Sequence, residues 1–372
     1  MNEKQLQNVI DLRHALHRYP ELSMRERETM VRLKAFLREH TTVQITEREG
    51  WFYAVKPGSD PDAPAIAFRA DMDALPIREP AGLPYASLRD GVSHKCGHDG
   101  HCAALCGLAL ELEGHPPART VYLIFQPGEE IGAGGARCAG LLREKGISEV
   151  YAFHNLSGYP EGALVYRNGL TSPASEGLTI RLCGRPSHAS YPEEGRNPAA
   201  ALSRIALYSQ VLSERSYSGM VLCTITGLRV GNGDFGISPG EGTLCLTLRA
   251  EHEAEMKRLE ESLLRCAAEQ AEAAGLSPEH QISDYFPETR NHEGCLRRVL
   301  RCAAAQGIPV VEMERLWRPS EDFGHYLKQC PGALFYIGNG TDYAPLHTAD
   351  YDFNDRILPA AVRLFAALAA EE

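Results

Sequence analysis

The chain has 372 residues, of which 44% are hydrophobic and 23% are charged. This is the composition of an ordinary globular protein with room for two hydrophobic cores. The formal net charge of −11 and the dispersed basic residues exclude the basic surface that nucleic acids or anionic membranes attract, so we expect neither as a partner.

The compartment is predicted from the N-terminus and the cysteines. The first residues predict a charged amphipathic helix and not a signal peptide, and no apolar run approaches the roughly 20 residues of a membrane span. Eleven cysteines are scattered through apolar segments, and without a secretory context they indicate reduced thiols. We expect a cytoplasmic protein.

Helical spacing of apolar residues predicts two helices within residues 4–40, with a break at residues 19–22. Short strands are predicted at 42–45 and 51–56. A compact apolar strand at 65–68 then runs into the sequence Arg-Ala-Asp-Met-Asp at residues 69–73.

Residues 93–101 read Ser-His-Lys-Cys-Gly-His-Asp-Gly-His and precede a buried helix predicted at 102–112. Cys96 and His98 lie two positions apart there, among glycines that let the backbone bend tightly. A thiol and an imidazole at this spacing make the segment the first candidate for chemistry.

Two further apolar strands follow, and each ends at candidate functional residues. A strand at 121–125 leads into Glu129 and Glu130, and after a helix opening at 134 a strand at 150–153 closes at His154. Alternation of strands and helices predicts an α/β fold with a largely parallel sheet, which binds ligands beyond the carboxyl ends of its strands.

The pattern changes near residue 172 and returns near residue 288. Between these points lie strands predicted at 178–182, 221–230 and 242–250 and helices predicted at 198–212 and 252–274. Two helices on a small antiparallel sheet form an α+β unit. Helices at 293–306 and 322–327 and a strand at 334–337 then resume the first pattern. We predict a catalytic domain of residues 1–172 and 288–372 with an inserted domain of residues 173–287.

Five residues in these strand ends and glycine-containing loops offer metal-binding groups: Cys96, His98, Glu130, His154 and His347. Thiolate and imidazole suit Zn²⁺ and its neighbours, and carboxylate admits Mn²⁺. A catalytic zinc needs only three protein ligands, whereas five groups with a bridging thiolate suit two ions about 3.5–4 Å apart. The alternative, that each residue is separately structural, explains their clustering less well.

Glu129 and Glu130 are adjacent in sequence, so their side chains point in different directions and have different roles. One can bind metal while the other takes a proton from a water that the metal activates and passes it to a leaving amine. An ordinary acidic turn after Pro127-Gly128 is the alternative.

A nucleophilic role for Cys96 is a second hypothesis, with a histidine as its base. His98 is only two residues away, which is poor geometry for a catalytic pair and suits a shared metal better.

The motifs, in chain order, are LRHALHRYPELS (12–23), RADMDALP (69–76), CGHDGH (96–101), QPGEE (126–130), SHA (187–189), EDF (321–323) and LH (346–347). Through them nearly the whole chain resembles the M20 metallopeptidase family. The resemblance is to its amidohydrolase branch, which includes hippurate hydrolases, auxin-conjugate hydrolases and N-acyl-amino-acid deacylases.

The resemblance implies a site for two divalent metal ions, either Zn²⁺ or Mn²⁺ with Ni²⁺ and Co²⁺ as alternatives. Cys96 would bridge the two ions. By the same likeness Glu130 and His347 would complete the ligands of one ion, and His98 and His154 those of the other.

The remaining polar residues of these motifs also receive roles from the resemblance. Glu129 would be the general base and acid, and Asp73 would orient a metal ligand. Asp71 stands where distant peptidase branches have a ligating histidine, so we do not count it as a ligand. His94 and His101 match no ligand position and are predicted to be structural or at the rim of the site.

The inserted region resembles the family's lid domain, a ferredoxin-like α+β unit that commonly dimerises, so we expect a homodimer. His188 matches the lid histidine that reaches an active site, often that of the partner subunit, and polarises the scissile carbonyl. An exposed loop histidine without such a role is the alternative.

Substrate recognition is where the sequence departs from the family. Family members usually carry Asn-Val-Ile-Pro before the last lid strand, and residues 236–239 here are Gly-Ile-Ser-Pro. Asn232 is the candidate to replace the missing asparagine. Candidates to clamp a substrate carboxylate by bidentate hydrogen bonds are Arg249, Arg290 and Arg318, and each is equally compatible with a surface ion pair.

We therefore predict a metal-dependent amidohydrolase that cleaves N-acyl amino acids or related small, peptide-like amides. The alternatives within enzymes are a dipeptidase and a carbamoyl-amino-acid hydrolase. A catalytically silent metal- or ligand-binding homologue is the alternative outside enzymes, since a fold alone does not establish function.

Overall fold

The computed structural model describes residues 1–80 and 82–371, which divide into two compact units. Unit 1 comprises Met1–Thr171, Thr289–Trp317 and the chain from Glu321 onward. Unit 2 comprises Ser172–Glu288 together with Arg318–Ser320. The main boundaries of this division, 171/172 and 288/289, each lie one residue from the predicted boundaries at 172/173 and 287/288. The division also adds the three-residue segment Arg318–Ser320 to the inserted unit.

The α-helices in the described residues are α1 (Glu3–Arg18), α2 (Arg27–His40), α3 (His98–Gly114), α4 (Gly134–Cys138), α5 (Gly140–Glu144), α6 (Ala199–Ser213), α7 (Glu253–Ala274), α8 (Glu293–Ala305), α9 (Gly324–Leu327) and α10 (Leu358–Ala370). Two short 3₁₀ helices lie at Pro192–Glu194 and Asp355–Ile357.

The strands are β1 (Gln44–Arg48), β2 (Trp51–Lys56), β3 (Ile66–Asp71), β4 (Val121–Gln126), β5 (Glu149–Ser157), β6 (Leu164–Tyr166), β7 (Leu170–Ser172), β8 (Ala174–Cys183), β9 (Ser187–His188), β10 (Val221–Val230), β11 (Ile237–Ser238), β12 (Glu241–Ala250), β13 (Ser277–Phe286), β14 (Thr289–Arg290), β15 (Val310–Glu312) and β16 (Gly332–Gly340).

Unit 1 is built on an eight-stranded sheet with the order β1-β2-β4-β3-β5-β16-β6-β15. The central pairs β4–β3, β3–β5 and β5–β16 are parallel, whereas β1–β2, β2–β4 and β16–β6 are antiparallel. The predicted α/β class with a largely parallel sheet is confirmed.

Both faces of this sheet are covered, as parallel strands require. Along β3, Ile66 and Phe68 belong to one core cluster, formed with α1, α2, α3, α8 and α10. Ala67 belongs to a second cluster, on the opposite face, with residues of α4, α5 and α9. The strand therefore reads as a continuous apolar run because its alternate side chains enter two different cores.

Unit 2 contains a four-stranded antiparallel sheet with the order β10-β12-β8-β13, and α6 and α7 pack on it. In chain order these elements run β8-α6-β10-β12-α7-β13, which is the predicted ferredoxin-like arrangement. A two-residue ladder, β9 with β11, stands beside the main sheet.

Several predicted bounds were wrong. The helix predicted at 102–112 begins four residues earlier, so His98 and His101 lie in its first turn. The strand predicted to close at His154 continues to Ser157. The strand β13 was not predicted at all, because most of its side chains are exposed and give no alternating apolar pattern.

None of the helices in the described part of the chain combines the length and the apolar character that crossing a lipid bilayer requires.

Candidate metal centre

The candidate site lies at the carboxyl end of the central parallel strands of unit 1. Asp71 at the end of β3 is paired with Gln126 at the end of β4. β5 runs past this edge, because its residue Ala152 pairs with Arg69, two residues before β3 ends. His154 therefore lies level with the ends of β3 and β4 although it is inside its own strand.

The start of α3 brings Cys96 and His98 to the same edge. Gly97 precedes the helix with a φ of +100°, and a Cβ atom there would lie 2.2 Å from Oδ1 of Asn155. Only glycine fits both the left-handed backbone and the close approach. A glycine between Cys96 and His98 is thus required to pass the chain from loop to helix at this point.

The structure brings the five predicted ligands together. Sγ of Cys96 lies 3.3 Å from Nε2 of His154 and 3.3 Å from Nε2 of His347. Nε2 of His347 lies 3.4 Å from Oε2 of Glu130, and Nε2 of His98 lies 3.8 Å from Oε1 of Glu130. Two triplets of ligand atoms, each within 4.8 Å of one another, share Cys96: Cys96, His98 and His154, and Cys96, Glu130 and His347.

Hydrogen bonds hold the histidines so that their Nε2 atoms face the site. Nδ1 of His98 donates to the backbone oxygen of Asp73 at 3.0 Å, and Nδ1 of His154 donates to that of Asn155 at 2.7 Å. An imidazole that donates through Nδ1 offers Nε2 as a metal ligand. His347 is held by its backbone instead, with a φ of +63° and an N–H that donates to the Lys95 oxygen at 2.7 Å.

The donor set fits divalent cations. Nε2 of His98 and Oε1 of Glu130 are buried and have no hydrogen-bond partner among the described residues. Burial and the carboxylates of Glu130 and Glu129 raise the pKa of the Cys96 thiol well above its usual range. Burial opposes the charge of His98, but Asp71 and Asp73 raise its pKa to about 10. The site therefore favours added positive charge, which metal ions supply when they bind.

Asp73 contacts both triplets, and it is fully buried. Its Oδ1 lies 3.2 Å from Nδ1 of His98, and its Oδ2 accepts from the backbone N–H of Glu130 at 2.9 Å and from Oγ of Ser23 at 2.7 Å. One carboxylate thus orients a histidine and a second ligand's backbone.

Glu129 lies beside the ligands, 3.9 Å from Nε2 of His98 and only 5% exposed. Behind it are two further buried carboxylates, Glu321 and Asp322, and the guanidinium of Arg69 pairs with both at 3.1 and 2.7 Å. Burial, Glu321 and Asp322 raise the pKa of the Glu129 carboxyl well above its usual range.

The sequence motifs alone do not predict this acidic cluster. Residues 321–323 form one of these motifs, but the motifs assign no role to Arg69, Glu321 or Asp322. A signal existed, because a charged residue at position 69 interrupts an apolar strand, and a buried charge must find a partner.

Asp71, His94 and His101 were not predicted as ligands. Both Asp71 oxygens are occupied, by Arg69 at 2.7 Å and by His101 at 2.6 Å. His101 also contacts Oδ1 of Asn155 through Nε2 at 2.8 Å. His94 and His101 are at most 2% exposed, so neither lies at an exposed rim, and their structural role stays a prediction.

The predicted residues His188, Asn232 and Arg249 belong to unit 2. His188 is exposed in β9, which pairs with Ile237 of β11. Its Nδ1 accepts from the backbone N–H of Ser190 at 3.1 Å. A neutral imidazole that accepts through Nδ1 carries its proton on Nε2, so His188 can donate a hydrogen bond.

Asn232 is exposed in the loop after β10. The segment that departs from the family lies next to His188, since the Ala189 N–H donates to the Gly236 oxygen at 3.0 Å. Gly236 in turn donates to Oδ1 of Asp234 at 2.8 Å. Position 236 therefore contributes a backbone carbonyl that binds the Ala189 N–H, but it offers no side chain to a substrate.

Arg249 is partly buried in β12. Its guanidinium donates to the Arg318 carbonyl oxygen and, at 2.8 Å, to Oγ of Ser320. No carboxylate of the described residues lies within ion-pair distance of it, and burial lowers its pKa. Arg290 lies in unit 1, and Arg318 is exposed.

A comparison with protein families matches residues 67–371 to a model described as peptidase family M20/M25/M40. The N-acetylcysteine deacetylase of Bacillus subtilis strain 168 is 31% identical over 374 residues, which cover 97% of this chain and 96% of that protein. The hippurate hydrolase of Campylobacter jejuni is 30% identical over 368 residues, covering 96% and 94%.

Among solved structures, the Bacillus subtilis protein YXEP is similar throughout, with a TM-score of 0.84 and 28% identity. The match covers 100% of this chain and 98% of that one. YXEP is described as a dinuclear metal binding peptidase from the M20 family.

Proposed function

The chain belongs to peptidase family M20/M25/M40, and on that premise we propose that it removes the acyl group from N-acyl amino acids. Membership and the relatives named as deacetylases and hydrolases make it a hydrolase of amide bonds, so the catalytically silent alternative is set aside. The acyl-amino-acid substrate is our inference from the relatives and from the residues below.

The observation that carries the proposal is that Cys96 belongs to both triplets of ligand atoms. We assign Cys96, His98 and His154 to one divalent ion and Cys96, Glu130 and His347 to the other, with Zn²⁺ or Mn²⁺ as the ions and Ni²⁺ or Co²⁺ as alternatives. When bound, such ions polarise the amide carbonyl and make water a better nucleophile near neutral pH.

Glu129 is assigned as the general base and acid. It takes one proton from the attacking water and delivers it to the amide nitrogen, so that the C–N bond breaks to give a carboxylate and an amine. Support comes from its burial beside the ligands and from the neighbouring Glu321 and Asp322. A carboxyl group whose pKa is raised holds the proton it has taken up until the amine accepts it.

His188 and Arg249 are assigned to the substrate. The Nε2 proton of His188 is available for the oxygen on which negative charge develops. Arg249 has a desolvated guanidinium that pairs with no carboxylate of residues 1–80 and 82–371, which favours the carboxylate of the amino-acid product half. Asn232 is exposed and is assigned to the substrate only as the replacement for the missing asparagine.

The thiol-nucleophile alternative is disfavoured by electrostatics. A catalytic cysteine needs a lowered pKa, whereas burial and two glutamates raise the pKa of Cys96. Two histidine nitrogens at 3.3 Å suit a thiolate that shares cations with them.

We also propose that two copies associate through unit 2. β10 is an edge strand of its sheet, and it exposes Leu222, Ile225 and Leu228 by 36%, 36% and 48%. Leu207 and Val211 of the adjacent α6 are 64% and 54% exposed. An unpaired apolar edge favours pairing with another chain. A cytoplasmic location stays a prediction from the cysteine content.

The test is amine release by protein that has been stripped of metal and then reloaded with Zn²⁺ or Mn²⁺. Substrates are N-acetyl, N-benzoyl and indole-acetyl amino acids, with dipeptides and N-carbamoyl amino acids as the competing classes. We expect turnover of N-acyl amino acids only after loading. Equal rates before and after loading contradict the metal mechanism, and faster turnover of dipeptides or N-carbamoyl amino acids selects that alternative.

A further inference from the structure

The backbone amides on both sides of Glu129 are each held by a buried carboxylate. The N–H of Gly128 donates to Oε1 of Glu26 at 2.7 Å, and that of Glu130 donates to Oδ2 of Asp73 at 2.9 Å. Glu26 is 2% exposed and Asp73 is fully buried. Gly128 has a φ of +58°, so the turn bends sharply just before Glu129, and these two bonds fix the Pro127–Gly128 peptide and the Glu129–Glu130 peptide.

Glu26 comes from the connection between α1 and α2, which follows the motif at 12–23. The N–H of Met24, a residue with a φ of +64°, donates to the same Oε1 of Glu26 at 2.9 Å. Sδ of Met24 lies 2.6 Å from the point that a Cβ on Gly128 would occupy. The connection is therefore folded against the turn of Glu129, with one carboxylate oxygen joining the two segments.

The usual structural role for this position does not account for the side chain. Glu26 is the N-cap residue of α2, yet its side chain makes no capping hydrogen bond. It has no basic partner within ion-pair distance among residues 1–80 and 82–371. Burial and the nearby carboxylate of Asp73 raise the pKa of Glu26 to about 7. A buried acid placed beside another acid destabilises the fold, so its position calls for a compensating function.

Carbonyl contacts within the turn do not replace these bonds. The Gly128 oxygen accepts from the N–H groups of Ala133 and Gly134 at 3.1 and 3.2 Å, and the Glu129 oxygen accepts from Gly132 at 2.8 Å. These bonds engage the carbonyl oxygens of the turn, whereas the N–H of Gly128 has Glu26 as its partner.

We propose that Glu26 is a positioning residue for Glu129, acting by accepting the hydrogen bond of the Gly128 backbone N–H. The proposal rests on the proposed role of Glu129 as general base. Its consequence is that the connection between α1 and α2, which contributes neither a ligand nor a base, sets the turnover rate. An error of about 1 Å in a catalytic group costs on the order of 10²-fold in rate, so small losses of this support are measurable.

The experiment compares Glu26→Asp with Glu26→Gln in the full-length, metal-loaded chain. Aspartate keeps the charge but is one methylene shorter, so its oxygen is drawn away from the Gly128 N–H. Glutamine loses the charge but keeps a carbonyl acceptor at the original length. Glu28→Asp and Glu28→Gln are the matched controls, because Glu28 lies two residues further on in α2, is exposed, and pairs with Arg32 and Arg89.

We expect Glu26→Asp to lower kcat by at least about tenfold, with KM and bound metal within about twofold of the original protein. Glu26→Gln should retain kcat within about threefold, and the Glu28 variants should be unchanged. The readouts are kcat and KM on the best substrate of the N-acyl panel, metal content, and the thermal midpoint Tm.

The proposal is overturned by an unchanged kcat in Glu26→Asp, by an equal loss in Glu26→Gln, or by a loss explained by missing metal. A lower Tm with unchanged kcat per folded chain assigns Glu26 to stability alone and also overturns it. Failure of the base assignment is seen separately, because Glu129→Gln would then retain activity whatever the Glu26 variants do.

Discussion

The candidate residues of unit 1 and those of unit 2 differ in how firmly the fold holds them. Cys96, His98, Glu129 and His154 are at most 6% exposed, and hydrogen bonds fix the ring of each of these histidines. His188 and Asn232 are exposed, and a single bond from a neighbouring amide holds His188.

The difference follows from the requirement that buried polar groups find partners. In unit 1 hydrogen bonds from neighbouring groups restrain His98, His154 and Asp73, whereas the His347 side chain is half-exposed and is held through its backbone.

In unit 2 His188 and Asn232 are exposed and make fewer contacts that restrain them. Gly236, where the family resemblance leads us to expect asparagine, lies in this less restrained region. We propose that unit 1 supplies the metal ligands and the general base, and that unit 2 supplies contacts to the substrate, among them the one from His188.

The largest expected effect on kcat comes from Glu129, one of the buried residues of unit 1. Glu129→Gln should lower kcat by about 10²–10⁴-fold, the contribution of a general acid–base group, because glutamine cannot accept the proton of water. Metal content should be unchanged, since Glu129 belongs to neither proposed ligand triplet. The measurement is steady-state kinetics with metal analysis of the same sample, and an active Glu129→Gln variant removes this residue from the mechanism.

His188→Ala tests whether an exposed residue can matter as much as a buried one. A donor to a developing oxyanion is worth about 10²–10³-fold in kcat, and we expect a loss in this range without a change in metal content or Tm. His280→Ala, another exposed histidine of unit 2, is the control. If both variants are equally active, the chemistry is confined to unit 1.

His17 tests how much the buried hydrogen bonds between His17, Asp99 and Glu79 contribute to the free energy of unfolding. Burial opposes its charge, but hydrogen bonds to Asp99 and Glu79, at 2.8 and 2.9 Å, raise the pKa of His17 to about 9 from the ordinary 6.5. Each pKa unit corresponds to about 1.4 kcal/mol, so the charged form contributes about 3 kcal/mol to the free energy of unfolding.

Because the folded-state pKa is the higher one, this contribution is fully present below about pH 6.5 and is lost as the pH rises through about 9. The measurement is chemical denaturation of the original protein and His17→Gln between pH 6 and about 10, compared with the exposed His115→Gln. The difference between the original protein and His17→Gln should shrink across this window. A difference that is constant with pH contradicts a charged His17.

The smallest expected effect concerns recognition. Arg249→Met should raise KM about tenfold for N-acyl amino acids, the lower end of what a hydrogen bond to a charged group contributes, and leave kcat unchanged. N-acyl amino acid amides, which lack the carboxylate, should show no such change. Arg181→Met is the control, since Arg181 of β8 already pairs with Glu241 and Glu279. Equal effects on acids and amides rule out a carboxylate contact.

The fold was predictable where the hydrophobic pattern reports burial. The run 65–68 predicted a central strand because both of its faces enter cores. The pattern failed for β13, whose side chains are mostly exposed. It also failed at the start of α3, where His98 and Asp99 are poor helix formers by themselves and are held there by tertiary contacts.

The candidate site also has a part that was predictable from the sequence and a part that was not. The spacing Cys-Gly-His, the adjacent glutamates and the isolated His154 and His347 were sufficient to nominate five ligands, because few other roles suit those groups in such loops. The support of Glu129 by Arg69, Glu321 and Asp322, and the link from Glu26 to Gly128 across 102 positions, were not readable from spacing.

The sequence by itself indicated the class of fold, the inserted unit and the kinds of candidate ligand, since periodicity and side-chain chemistry are local properties of the chain. Only the tertiary structure decided which carboxylate lies beside which histidine, such as Glu129 beside His98, and that Asp73 contacts both His98 and the backbone of Glu130. The physical reason is that a buried polar atom must be satisfied by whatever the fold brings next to it. In this protein those partners come from strands and loops far apart in sequence.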